Sequence, residues 1–352
     1  MRMKTDRKLL WPISAAAILG ASTVLILRAW HRELTKKYEL IPPGKDSDLR
    51  VFLHRGQVLT GSEALARMQK GTDLNLWLAG NQYFAMDSVI AEFQKLYPEV
   101  RQIGVITLPP GKIAQAILKG GWTYKGRNYP SQPDLYATVD RNHLERLAAS
   151  QRMEQYQIYA HNSLELMVAQ GNPKNVKGIH DLGRSDLKVI LPNPIDEGIM
   201  SVFGKKVLIR HHLWDRLSSG KECKGCHGAP NVYFTEVHHR EIPEALSSGR
   251  ADVGLVWATE NQNGVKNGLP IEAVVLPDED SLKDEINYMV GPLSTAVHTQ
   301  NAKNYLHFIL GTPAQEIYKQ FGFIGAKNGD QKVTALTLGR SRKNGGYRQS
   351  LK

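Results

Sequence analysis

Residues 222–260, ECKGCHGAPNVYFTEVHHREIPEALSSGRADVGLVWATE, hold the signals that decide the fold and the first trace of chemistry. Near their end, 242–248 carries apolar residues at helical spacing, Ser248-Gly249-Arg250 stops it, and 251–257 is a near-continuous apolar run. A strand apolar on both faces belongs in a parallel sheet covered by helices on each side. Between this unit and the cysteines lies Val237-His238-His239-Arg240, residues that a core does not select. Adjacent histidines are expected to diverge, one toward a cleft and one toward solvent. Arg240 has the planar donor fork that grips an anion.

Working outward, LNLWLA (74–79) reads as a strand, Gly80-Asn81-Gln82 as a turn, and 83–96 as a helix ended before Pro98. Residues 104–108 form a second strand. Pro109-Pro110-Gly111 then opens a helix over 112–118, where proline suits the first turn. A third strand, 134–139, runs into Asp140, a good cap for a helix over 141–149. Further strands are expected at 164–168, 187–191, 271–276 and 286–290, and helices at 199–209, 302–310 and 314–321. The recurrence of strand, loop and helix predicts parallel sheets with right-handed crossovers. Ligands in such folds sit at the carboxyl ends of strands, so the loops 80–82, 109–111 and 138–140 face the expected site. Their helix starts carry free N–H groups and a positive dipole end, a seat for an oxyanion.

The order of elements resembles the type II periplasmic substrate-binding proteins, most closely the molybdate-binding-like branch. The matching pieces are NLWLAGNQYFAMDSVIAEFQKLYPEV (75–100), PDLYATVD (133–140), YAHNSLELMVAQGNP (159–173), LKVILPNPIDEGIMSVFGKKVL (187–208), GRADVGLVWATE (249–260) and NYLHFILGTPAQEIYKQFGF (304–323). The resemblance implies a two-lobed α/β fold of the periplasmic-binding-protein type, each lobe a mostly parallel sheet flanked by helices. Lobe one would comprise 74–160 and a return over 271–326, lobe two 161–270, with 38–73 a linker region in which 49–53 reads as a short strand and 61–69 as a helix. It also implies a receptor, not an enzyme, that delivers a small anionic solute to the permease of an ABC-type importer. Carried over by position, the ligand loops would contribute Asn81, Gln82, Pro110, Gly111, Thr138, Glu197, Gly198, Trp257 and Thr259, joined by His238, His239 and Arg240. The chain departs from the branch in Asn81-Gln82 and Pro109-Pro110, where Ser/Ala-type loops are usual. Glu197 would repel an oxyanion unless paired, with Arg240 the expected partner. The ligand class is therefore an oxyanion or carboxylate, with molybdate itself in doubt. Nucleophile-elbow, zinc-protease and P-loop spacings are missing from the sequence, so nothing names a reaction.

The formal charge of +11 is concentrated at the ends: residues 1–37 carry +6, residues 327–352 another +6, and the body −1. A nucleic-acid groove on the body is therefore not expected. The uncharged run LLWPISAAAILGASTVLIL (9–27) is long enough to span a bilayer and has basic residues on both sides. An uncleaved anchor and a cleaved signal peptide both fit, and both predict an exported, periplasmic or extracytoplasmic body. The basic tail from 327 has few apolar residues and is expected to be mobile.

Cys223 and Cys226 are the only cysteines, and Cys223-Lys224-Gly225-Cys226-His227 fits C-x-x-C-H. That pattern attaches haem c, with His227 as the axial ligand and His238, His239, His211, His212 or Met200 available opposite it. Such a haem protein, on the same scaffold, would act in electron transfer or sensing. A local disulfide and a metal site using His227 fit the same residues.

Overall fold

A computed structural model describes residues 46–327, 329, 330 and 332–336. The apolar run 9–27, read as a membrane segment, lies outside the described residues, among which no helix is long and apolar enough to cross a membrane.

Two mixed sheets form the two lobes. The first runs, in spatial order, Ile324–Gly325, Gln155–His161, Asn287–Pro292, Leu135–Thr138, Leu74–Ala79, Gln102–Leu108, Leu49–Leu53 and Val58–Thr60. Its centre is parallel, because Leu74–Ala79 pairs that way with both neighbours, while the flanks are antiparallel. The second sheet runs Cys226–His227, Val232–Phe234, Val189–Leu191, Val253–Trp257, Leu164–Ala169 and Ile271–Val275. The apolar run that opened the sequence analysis is all buried, as expected. It is parallel to Val189–Leu191 but antiparallel to Leu164–Ala169, so the expectation of mostly parallel sheets is corrected to mixed ones. Burial on both faces selects apolar residues whatever the direction of the neighbour, and composition alone does not register direction.

Three boundaries move. The strand Leu49–Leu53, in the region read as a linker, is an integral strand of the first sheet, paired with Gln102–Leu108, and the helix Gly61–Lys70 follows it. The strand Ile271–Val275, expected to begin the return to lobe one, pairs with Leu164–Ala169 in lobe two. The chain then recrosses before Asn287–Pro292. At the start of the basic tail, Thr334–Ala335 adds to the edge of Gln155–His161, and Asp330 meets His161 at 2.8 Å. An open strand edge offers backbone partners to a segment with little apolar content of its own.

The lobes meet where Gln155–His161 passes into Leu164–Ala169 through Asn162 and Ser163. A buried polar knot ties this crossover. The Asn162 amide donates to Thr259 Oγ1 and to the Tyr288 hydroxyl, both at 3.2 Å. The Asn81 amide reaches Thr259 Oγ1 at 3.4 Å and also donates to the Tyr288 hydroxyl. Burial holds the Tyr288 phenol neutral far above the usual range, so it stays a hydrogen-bonding hub.

Candidate functional site

The carboxyl ends of the central strands converge on a cleft between the lobes. From lobe one come Ala79, Gly80 and Asn81 after one strand, Pro109 and Pro110 after the next, and Val139 after the third. From lobe two come Glu197, Gly198 and Ile199, then His238, His239 and Trp257, with Tyr288 at the crossover.

Local structure explains why these residues arrive together. Pro110 occupies the first turn of the helix Pro110–Lys119, where a missing N–H costs nothing. Gly198 precedes a π-helical turn, Ile199–Gly204, which runs directly into Lys205–Arg210. Single π-turns are frequent at functional sites because they reset the register of the following side chains. His239 takes a left-handed backbone conformation with φ of 61°. That conformation turns the chain so that His238 and His239 both face the cleft, their rings 5.0 Å apart, rather than diverging as expected. A non-glycine residue held there stores about 1–3 kcal/mol of strain, which the surrounding contacts must offset.

His239 is clamped. Its Nδ1 lies 2.7 Å from Glu260 Oε1, and its Nε2 faces Gly80 so closely that a β-carbon there would come within 2.6 Å. Only glycine permits that approach across the lobes. Burial pulls the His239 imidazole toward neutrality. The Glu260 charge and hydrogen bond, with Glu197 beyond, outweigh burial, and the net shift is upward.

Glu197 is the other buried charge. Its Oε1 accepts from the Asn193 backbone N–H and side-chain amide, both at 3.1 Å, and from the Thr235 hydroxyl. Burial nevertheless dominates and pushes the carboxyl up to about 7, against the opposing pull of His239 and these hydrogen bonds. The expected Glu197–Arg240 pair does not form. Arg240 instead crosses the lobes to Asp48 at 2.9 Å. A third crossing lies at the mouth, where Lys112 Nζ and Lys224 Nζ approach Asp196 Oδ2 at 3.2 and 2.9 Å.

Of the residues read from the sequence, Asn81, Pro110, Glu197, Gly198, His238, His239 and Trp257 line the cleft. The others do not. Thr259 is fully buried in the crossover knot. Thr138 points its hydroxyl at the Asp140 N–H, 3.0 Å away, and at His143. Gly111 packs toward His143. Gln82 is fully buried off the cleft wall, and its side-chain amide has no hydrogen-bond partner among the described residues. The wall residues outside the loops read from the sequence are Ala79, Ile199 and Tyr288, with Glu260 behind His239. No local signal marks them, because each reaches the cleft through the packing of distant strands.

Cys223 and Cys226 are joined as a disulfide in the loop before Val232–Phe234. His227 is exposed, with its ring 5.3 Å from Tyr233. Three of the histidines named for the opposite face have partners elsewhere, His211 on Asp280 at 2.6 Å, His239 on Glu260, and His238 beside Asp48 at 3.8 Å, while His212 is exposed. Met200 is wholly buried in the core. This arrangement fits the disulfide among the alternatives read from the sequence. The described residues also hold no group of three or more His, Cys, Asp or Glu placed for a metal ion. Reduction of the disulfide is expected to lower stability by only about 2 kcal/mol, since the closed loop is short. Denaturant unfolding with and without dithiothreitol checks this, and a loss above about 4 kcal/mol would mean the loop organises more than itself.

Residues 74–324 match the bacterial extracellular solute-binding protein family. The chain belongs to that family of non-enzymatic binding proteins. A Bacillus subtilis (strain 168) protein, YvgL, named as an ABC transporter substrate-binding lipoprotein, is 22% identical over 162 residues, which is 46% of this chain and 55% of that protein. The chain thus spans about half the length of that relative. Among solved structures, the periplasmic molybdate-binding protein of Azotobacter vinelandii is similar with a TM-score of 0.56 at 16% identity, covering 72% of this chain and all of that one. The sulfate-binding protein SubI of Mycobacterium tuberculosis gives 0.54 at 18% identity, covering 73% and 88%. At these identities the likeness is one of fold.

Proposed function

We propose that this chain is the extracytoplasmic receptor of an ABC-type importer and captures a small oxyanion or carboxylate between its lobes. Anchoring by the apolar segment 9–27 is part of the same reading. The observation that carries it is the pair of imidazoles, His238 and His239, held among strand-end loops in the interlobe cleft. His239 is kept cationic above its ordinary range, and the helix beginning at Pro110 points its positive end at the same space. Relatives of this fold that bind molybdate and sulfate are consistent with the class. Glu197 separates this cleft from a site for fully ionised anions, because an anion is accommodated beside it only when the carboxyl is protonated.

A thermal-shift screen of molybdate, sulfate, phosphate and small carboxylates, in mildly acidic buffer, tests the reading. A ligand at a hundredfold excess over its Kd stabilises the native state by about 2.7 kcal/mol. That corresponds to a rise of roughly 5 °C in Tm for a body of this size. A flat response across the whole screen would remove the anion-receptor reading.

A further inference from the structure

Residues 46–53 precede the span matched by the solute-binding family, yet they reach the boundary between the lobes beside the cleft. The strand Leu49–Leu53 continues the first-lobe sheet and brings Asp48, only 1% exposed, to the interlobe boundary. Across that boundary the Arg240 guanidinium donates through Nη2 to Asp48 Oδ1 at 2.9 Å and approaches Ser47 Oγ at 3.5 Å. His238 Nε2 stands 3.8 Å from Asp48 Oδ2. One carboxylate thus engages the two side chains that flank His239.

The surroundings make Asp48 more than a surface partner. Arg50 and Arg240 both lie over the Tyr83 ring, 4.2 and 4.9 Å from its centroid, one from each lobe. Arg50 is buried, donates to the Tyr83 carbonyl at 3.2 Å, and has Asp87 at 3.4 Å. Two guanidinium groups on one ring repel; Arg50 has its ion pair with Asp87, and Arg240 is offset by Asp48. With it neutralised, like charges face each other across the boundary and favour separation of the lobes. The contact is also incompletely satisfied: Arg240 Nη1 and Asp48 Oδ2 are buried without hydrogen-bond partners among the described residues. Buried groups left so are costly, which makes this junction easier to break than a core contact.

From this geometry we infer that Asp48 is the latch of the cleft, a positioning residue outside the family-matched span that holds His238-His239-Arg240 closed over the ligand. It touches no ligand and acts through the histidine segment. Truncating one partner of a buried, hydrogen-bonded charge pair acts mainly on dissociation. Latch variants should therefore release ligand faster while associating at an unchanged rate.

The test uses Asp48→Asn, Arg240→Gln and the double variant in the full chain. His298→Ala, which breaks the ion pair with Asp134 inside lobe one, controls for general loss of stability. Lobe separation is measured by electron–electron distance between nitroxides at Leu96→Cys and Val265→Cys, both exposed and one in each lobe. Release of molybdate, sulfate or phosphate is followed by stopped flow. The latch predicts a longer interlobe distance in both single variants, no further change in the double, and release faster by about tenfold or more. The control should show neither effect. The ligand arm rests on the receptor reading above, and the distance arm does not. If no anion binds the wild type while Asp48→Asn still opens the lobes, the latch stands and the anion reading falls. If anions bind and leave Asp48→Asn as they leave the wild type, with the distance unchanged, the latch is overturned. Arg240→Gln, at a partly exposed position, decides the matter if Asp48→Asn does not fold.

Discussion

Replacing Gly80 with valine is expected to weaken ligand capture by up to about a hundredfold while leaving the ligand-free protein folded. A β-carbon at this position would lie 2.6 Å from His239 Nε2 and 3.0 Å from its Cδ2. The ring cannot retreat cheaply, because Nδ1 is held by Glu260 at 2.7 Å and the backbone of His239 is already in the left-handed region. Overpacking of this kind costs about 1–3 kcal/mol, and 2.7 kcal/mol is a hundredfold in Kd. Gly80 and His239 sit on opposite lobes, so an open cleft relieves the clash and the cost falls on closure rather than folding. Titration calorimetry with the best ligand from the thermal screen, beside the melting temperature of the free variant, separates the two. Wild-type affinity in Gly80→Val would mean that the lobes do not close on this contact.

Anion affinity should fall as pH rises through neutrality. The sign follows from two groups. Burial places the Glu197 carboxyl at about 7 in the closed cleft, and His239 is held cationic above its ordinary range. An incoming anion favours the protonated form of both, so binding takes up a proton wherever either is not already protonated. Well below the Glu197 value the carboxyl is neutral and affinity is flat. Above it, each pH unit lowers affinity by up to about tenfold for one proton, or 1.36 kcal/mol. The groups facing Glu197 are His239, Glu260, Thr235 and Asn193, with Lys224 more distant, so loss of the His239 proton at higher pH should steepen the decline. Glu197→Gln keeps the shape without the charge and should flatten the neutral part of the profile. Calorimetry in buffers of different ionisation enthalpy counts the protons directly. Affinity that rises with pH, or a profile unchanged in Glu197→Gln, would show that Glu197 does not face the ligand.

The same two predictions mark how far the residues alone could be read. Glu197 and His238-His239 stood out as charged or titratable groups where a core would carry none, and all three line the cleft. Their partners were not legible. Arg240 was paired with Glu197 on the ground of opposite charge, whereas it meets Asp48, 192 positions away. Charge names a kind of partner, and only chain path selects which one is within reach. Thr259 and Asn81 were named as ligand groups by carry-over from the resembled family, and the crossover takes up their side chains in a buried hydrogen-bond knot with Asn162 and Tyr288. Gly80 was read as a turn residue, and its decisive role, admitting His239 from the other lobe, exists only once the lobes face each other.

By itself the sequence determined the alternation of strands and helices and the concentration of positive charge at the ends, because these are properties of local periodicity and composition; the two-lobed class came only with the resemblance of the element order to a known family. Tertiary structure alone decided strand direction, the place of Leu49–Leu53 and Ile271–Val275 in their sheets, and the pairing of Cys223 with Cys226. It also set the unusual protonation of Glu197, whose sequence neighbours say nothing of the burial that causes it. Periodicity records which face of an element is buried, and it carries no information about which distant element does the burying.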